Sequence, residues 1–124
     1  MTSIEMASKY PPVALPDTNY AKELQAFCLA LPDAWEDYPW GDIVYKLGAK
    51  MFAAMGGKPL GVTAKATPED AEVLVQLPHI SVARYIGRWG WVTVAVTDKS
   101  TYEHARELIE ASYALVAPKR RRAK

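Results

Sequence analysis

The sequence has little of what most catalytic, metal-binding and membrane proteins require. It contains one cysteine, Cys28, which excludes an internal disulfide and a cysteine-based metal site. His79 and His104 are far apart in sequence, and neither has the acid and nucleophile nearby that a histidine-based hydrolase uses. No run approaches the roughly 18 apolar residues of a membrane span. Glu5 and Lys9 interrupt the N-terminus, which therefore lacks a secretory core. We expect a cytoplasmic protein that is not an enzyme, needs no cofactor or metal, and does not enter a membrane.

What the sequence does contain is enough apolar material for one domain. Half of the 124 residues are hydrophobic, which suffices for a single core. The proline-rich stretch 11–16 disfavours both helix and central strand, so residues 1–17 are predicted to form a flexible arm. The domain is predicted to span 18–118 and to be followed by a basic tail, 119–124. We expect a monomer.

The pattern of apolar and turn residues predicts the order α-β(3)-α-β(2)-α. The helices are predicted at about 18–31, 67–77 and 100–116, and the strands at 43–47, 50–55, 60–66, 81–86 and 91–97. A short extra strand near 35–38 is left open. Because the strand connections are short, the pairing should be antiparallel. Three amphipathic helices would then cover one side of the sheet in an α+β two-layer sandwich.

Positive and negative charges are separated along the chain. The segments 43–66 and 78–97 contain no Asp or Glu, and their basic residues are Lys46, Lys50, Lys58, Lys65, Arg84 and Arg88. The tail 119–124 carries five positive charges, whereas the preceding residues hold ten Lys/Arg and fourteen Asp/Glu. If the helices cover one face of the sheet, its open face and hairpin tips should be positive and the helical side negative.

A series of short motifs along the chain gives a further indication. The residues are Leu31-Pro32, Glu36-Asp37-Tyr38-Pro39-Trp40-Gly41, Val44-Tyr45-Lys46, Lys50-Met51-Phe52-Ala53, Lys65, Pro68, Tyr85, Gly90-Trp91-Val92-Thr93-Val94 and Ser112-Tyr113. Together and in this order they resemble the MmcQ/YjbR-like family over roughly residues 20–116. The resemblance implies an α+β fold of the secretion-chaperone-like type and DNA binding through two β-hairpin wings. It brings no catalytic residues with it.

The candidate site combines the basic hairpins, two aromatic residues and the tail. Cations contact phosphates without reading bases, and tryptophan rings can stack on bases. The predicted nucleic-acid-binding residues are Lys46, Lys50, Lys58, Lys65, Arg84, Arg88, Trp89, Trp91, Arg120 and Arg121. The expected ligand is DNA, bound weakly or without sequence preference.

Other interpretations remain open from the sequence. The lysines can belong to a solvated sheet face that resists edge-to-edge pairing, and the tryptophans can be packing residues. The open face can instead serve as a protein-interaction module that docks a partner's helix or strand. A small-ligand cleft near Trp40, Tyr85 and Trp91 is the remaining alternative, although no convergent set of polar groups accompanies it.

Overall fold

The computed structural model describes residues 7–118, apart from the Trp40 side chain, and within that range contains one antiparallel sheet and three α-helices. The strands are β1 (Ala34–Asp37), β2 (Ile43–Leu47), β3 (Lys50–Gly56), β4 (Leu60–Lys65), β5 (Ile80–Val82) and β6 (Trp91–Val96). The helices are α1 (Asn19–Ala30), α2 (Pro68–Leu74) and α3 (Lys99–Val116), with short 3₁₀ turns at Pro39–Gly41 and Gly87–Trp89. The strand order is β1-β2-β3-β4-β6-β5. The predicted α+β fold with an antiparallel sheet is confirmed, and the short strand left open at 35–38 is β1.

Two elements are shorter than predicted. β5 stops at Val82 instead of Ile86, because the chain turns out of the sheet through Tyr85, whose φ is 68°. The last backbone contact to β6 on this side is the Ala83 N–H, which donates to the Trp91 carbonyl at 3.1 Å. α2 ends at Leu74 instead of Leu77, and the chain continues from there in turns.

Side-chain caps set the starts of all three described helices. Thr67 accepts the Asp70 N–H at 3.1 Å and Pro68 follows it, as the sequence of this helix start predicts. Thr18 caps α1 by accepting the Ala21 N–H at 3.0 Å. Asp98 forms a reciprocal capping box with Thr101 at the start of α3. Each cap satisfies an amide that the helix itself leaves unpaired.

The hydrophobic core lies between one face of the sheet and the helices. In β6, Val92, Val94 and Val96 are buried, while the alternating residues are only partly covered, as the period of two in this strand predicts. α3 packs across β3, β4 and β6, and α1 packs against β1 and α3. Ile109 of α3 and Leu24 of α1 are both fully buried in this layer.

A β-bulge in β3 gives α3 a polar anchor. Tyr45 lies opposite Ala53 whereas Lys46 lies opposite Met51, so Phe52 is an extra residue on β3. Its carbonyl accepts the buried Ser112 hydroxyl at 2.7 Å, and the same oxygen of Ser112 accepts the Lys65 N–H at 2.9 Å. One hydroxyl therefore ties α3 to both β3 and β4.

The segment before α1 contacts the domain at several points. Ser8 hydrogen-bonds to Asp37 and Tyr38, and Val13 and Leu15 pack against the core. Among the described residues, no helix is both long and apolar enough to cross a membrane.

Candidate functional site

The candidate site lies on the face of the sheet opposite the helices, here called the open face. Cross-strand pairing places the middle row of this face at Val44, Ala54, Thr63, Thr93 and Ser81. Directly opposed residues share a face, so the row can be read from the register. Most of these side chains are small, which leaves the centre of the open face lower than its rim.

The strand directions place most of the predicted cations at one end of the sheet. β2 and β4 finish at the end where β3 and β6 begin, and we call this the Trp91 end. Lys50 lies at the β2–β3 turn there, and Lys65 pairs directly with Trp91 on the open face. Lys58 lies in the β3–β4 turn at the opposite end. The two turns of the β2–β3–β4 meander therefore lie at opposite ends of the sheet, whereas the turn between β5 and β6 lies at the Trp91 end with Lys50.

Lys46 lies on the open face but already has a partner. Its Nζ is 2.6 Å from Oδ2 of buried Asp37 and 5.5 Å from the centre of the Trp35 ring. Asp37 also accepts the Ser8 hydroxyl at 2.6 Å and the Tyr38 N–H at 3.0 Å. Burial alone would raise the pKa of Asp37, but these hydrogen bonds outweigh it and hold the pKa below its usual value. The Lys46 charge is therefore used within the fold.

The five other predicted cations within residues 7–118 have no carboxylate partner in that range. Lys50, Lys58, Arg84 and Arg88 are exposed and Lys65 is half-buried. The helices have the opposite balance, with seven acidic and three basic residues in α1, α2 and α3. Positive charge on the strands and loops thus faces away from a negative helical layer.

Two arginine–aromatic pairs project from the loop between β5 and β6, residues 83–90, here called the arginine loop. The Arg84 guanidinium lies 5.4 Å from the centre of the Tyr85 ring, and that of Arg88 lies 4.2 Å from the Trp89 ring. Tyr85 is 87% exposed and Trp89 is 50% exposed. Both rings are therefore available to a ligand while already in contact with a cation.

Two glycines hold this loop against the sheet. A Cβ on Gly90 would lie 2.1 Å from the Ala66 carbonyl oxygen, and one on Gly87 would lie 2.1 Å from a Val82 methyl. Gly90 also has a φ of 95°, which other residues rarely adopt. Its carbonyl accepts the Ala66 N–H at 2.9 Å. The loop therefore approaches β4 and β5 more closely than any side chain would permit.

A recess of about 400 Å³ lies on the open face beside the arginine loop. Its floor includes Ala54, Gly56, Gly61, Thr63 and Thr93. Its rim includes Met51, Asp42, Arg84 and Ile86. The Thr63 and Thr93 hydroxyls lie 2.9 Å apart and hydrogen-bond to each other.

A second group of titratable side chains lies beneath α1. Glu36 accepts hydrogen bonds from the Tyr38 hydroxyl and, at 2.9 Å, from Gln25. The hydrogen bond to Glu36 and burial raise the pKa of Tyr38 to about 12, and burial together with the Glu36 charge raises the pKa of Cys28 to about 12. Burial and the same carboxylate also raise the pKa of Tyr45. The Tyr38 and Tyr45 hydroxyls and the Cys28 thiol therefore stay protonated at neutral pH, so this cluster offers no reactive thiolate.

Sequence reasoning missed one polar contact. His79 and His104 are separated by 25 residues, yet their ring nitrogens lie 3.0 Å apart where α3 passes the start of β5. Nothing in their spacing indicates this. No group of three or more His, Cys, Asp or Glu side chains in the described part of the chain is arranged to hold a metal ion.

The structure thus brings six predicted residues to one end of the sheet, namely Lys50, Lys65, Arg84, Arg88, Trp89 and Trp91. It leaves Lys58 at the other end and pairs Lys46 with Asp37. The remaining predicted residues, Arg120 and Arg121, belong to the tail 119–124 and lie outside the described residues.

Comparison with known proteins identifies the family. The YjbR family model matches residues 29–115. The crystal structure of Deinococcus radiodurans protein DR2400, with the domain DUF419, is similar with a TM-score of 0.69 and 30% identity, covering 79% of this chain and 78% of that one. A Pseudomonas syringae protein shares the fold with a TM-score of 0.63 and 20% identity, covering 77% of this chain and 97% of that one. No curated protein matches the sequence. The family match over most of the chain, together with the shared fold, shows that this protein belongs to the YjbR family.

Proposed function

We propose that the protein binds nucleic acid weakly through the Trp91 end of the open face and the arginine loop. One observation carries the proposal, namely that four cations without a carboxylate partner among the described residues gather where aromatic rings are accessible. These cations are Lys50, Lys65, Arg84 and Arg88. Cations supply phosphate contacts and aromatic rings supply base stacking, and the two together are typical of nucleic-acid-binding surfaces.

The proposal assigns different roles to the predicted residues. Arg84 and Arg88 contact phosphates while their aromatic neighbours stack on bases. Lys50 and Lys65 extend the positive surface along the sheet end. Lys46 contributes little because its charge is paired with Asp37, and Lys58 lies in the turn at the opposite end of β3 from Lys50. In this proposal, Arg120 and Arg121 attract the phosphates of the nucleic acid whatever its base sequence.

Fluorescence anisotropy of a labelled oligonucleotide tests the proposal. The triple variant Lys50→Glu, Arg84→Glu, Arg88→Glu should weaken binding by at least about a hundredfold at low salt, because each lost phosphate contact also removes its counterion release. The matched control is Lys22→Glu, Lys99→Glu, Arg106→Glu, which changes net charge equally on exposed residues of the helical layer. Equal losses in the two triple variants would overturn the proposed location.

A chain ending at Pro118 separates the fold from the tail. The shortened chain should keep most of its affinity and a salt slope of about −3, which corresponds to three or four phosphate contacts. If binding disappears with the tail, the folded site is not the binding surface.

A protein-interaction module is the second candidate, and one observation favours it. Val82 of the edge strand β5 is 60% exposed, and Val73 of the neighbouring helix α2 is 67% exposed. Exposed apolar groups beside a free strand edge are typical of surfaces that pair with another chain. A stoichiometric partner recovered from nuclease-treated extract and lost on Val73→Asp, Val82→Asp would support this candidate. Recovery unaffected by that change would exclude this surface.

A further inference from the structure

We propose that the nucleic acid is single-stranded and that one of its bases enters the recess beside the arginine loop. The inference rests on the proposed function and adds the class of ligand and the place of one base. It is carried by the shape and chemistry of the recess and by the exposed aromatic rings of the arginine loop.

The recess can accept a flat ring close to the backbone. Its volume of about 400 Å³ lies within the range of roughly 300–1,000 Å³ that is usual for ligand sites. Gly56 and Gly61 pair across β3 and β4 on its floor, and a Cβ built on Gly56 would meet nothing within 4 Å. Glycine in a strand often marks a place where another group approaches the main chain.

The floor also has the hydrogen-bonding groups that a base edge requires. The Thr63 and Thr93 hydroxyls share one hydrogen bond at 2.9 Å, which uses one of their two hydrogens. The second hydrogen and the remaining lone pairs stay available to a ligand. A base edge presents both donors and acceptors, so this pair of hydroxyls can satisfy either kind of atom.

The charges on the rim indicate where the backbone of the strand runs. Arg84 contributes a positive charge from the arginine loop, whereas Asp42 contributes a negative charge from the start of β2. Phosphates should therefore follow the side of Arg84 and Arg88. Neighbouring bases would then reach the Tyr85 and Trp89 rings.

A duplex does not satisfy this arrangement. Its bases are already paired and stacked, so aromatic side chains and a recess contact them only after they are unstacked. A single strand can place one unpaired base in the recess while its phosphates pass the arginine loop.

The backbone of Tyr85 is consistent with this role for the arginine loop. A tyrosine with a φ of 68° adopts a left-handed conformation that costs on the order of 1 kcal/mol or more. The ring is 87% exposed, so burial gives little in return. A base stacked on Tyr85 would supply the missing contact.

Anisotropy with three probes of equal length tests the inference. The probes are a labelled DNA single strand of about 12 nucleotides, the same strand annealed to its complement, and an abasic strand that keeps the phosphates. The single strand should bind at least about tenfold tighter than either of the others. A duplex or an abasic strand that binds equally well or better overturns the inference while leaving the proposed function standing. No binding of any probe overturns both.

Variants of the recess locate the base. Gly56→Leu fills the recess from an unstrained backbone position and should remove most of the preference for the single strand over the duplex. Thr93→Val keeps the volume and should weaken single-strand binding about threefold to tenfold through the lost hydroxyl. Ala26→Leu, on the exposed side of α1, is the matched control and should change nothing. Thermal unfolding of each variant checks that it is folded. A preference that survives in both folded recess variants overturns the placement of the base.

Discussion

The two faces of the sheet differ in how their side chains are held. On the covered face, Phe52, Val62 and Val94 are at most 1% exposed and share one core with Ile109 of α3. On the open face, most of the side chains are small or half-exposed, and the cations at its end lack carboxylate partners among the described residues. Burial on one face stabilises the fold. The other face is free to change without loss of the core, which is the usual condition of a binding surface.

The largest difference in stability should separate two neighbouring residues of β3 that point to opposite faces of the sheet. Phe52→Ala should lower the free energy of unfolding by about 4 kcal/mol, because it leaves a cavity among buried residues. Met51→Ala should cost about 1 kcal/mol, because Met51 lies half-buried on the open face. Urea denaturation of both variants measures the difference. Equal costs would mean that the two faces are equally packed.

The next largest loss of stability should come from Gly90, the last residue of the arginine loop. Gly90→Ala should cost about 3 kcal/mol, because the new Cβ would meet the Ala66 carbonyl and the positive φ would be strained. Gly48 also has a positive φ, but a Cβ added there would meet nothing within 4 Å. Gly48→Ala should therefore cost only about 1 kcal/mol. Thermal unfolding of the pair separates the close contact from the conformational cost. A Gly90 variant as stable as the Gly48 variant would contradict the contact.

A smaller effect is expected at the link between α3 and the bulge. Ser112→Ala should cost about 2 kcal/mol, because the buried Phe52 carbonyl and Lys65 N–H lose their shared partner. Ala111→Ser, an exposed neighbour on α3, should change stability by less than about 0.5 kcal/mol. Denaturation at neutral pH compares the two. No difference between them would show that the hydroxyl does not anchor the helix.

The smallest difference in stability should come from Asp37, and it should depend on pH. Because the folded pKa of Asp37 is depressed, its carboxylate contributes stability above the unfolded pKa of about 4, and that contribution is lost as the pH falls through the folded value. Asp37→Asn should therefore be less stable than the native chain at neutral pH. The gap should narrow below about pH 4. A gap that stays constant down to the acid transition would contradict the role of the Lys46–Asp37 pair.

Local turn chemistry made much of the fold predictable from the sequence. Thr67-Pro68 set the start of α2, and the glycine turn at 56–57 set the β3–β4 connection. The alternation of valines with other residues in β6 identified which of its side chains face the core. These features depend on neighbouring residues, which the sequence displays directly.

The bulge and the site geometry were not predictable in the same way. Residues 51–55 are all apolar, so the sequence does not indicate which of them is the bulged residue. The face to which each side chain of β3 points was therefore hidden. Tyrosine rarely has positive φ, so the turn through Tyr85 and the early end of β5 at Val82 were also hidden. The pairing of Lys46 with Asp37 and the separation of Lys50 from Lys58 depend on strand register. The list of cations was therefore available from the sequence, but their grouping was not.

The bulge at Phe52 also determines where this strand can change length. Met51 before it and Ala54 after it both lie on the open face, so Phe52 is an insertion that leaves the rest of the strand in phase. An aligned relative with one residue fewer in this strand would keep every other side chain on its present face if the gap is placed at Phe52. Ala53 is buried on the same face as Phe52, so a gap at any position other than these two between Lys50 and Gly56 would exchange core and solvent-facing positions and misassign the residues of the recess.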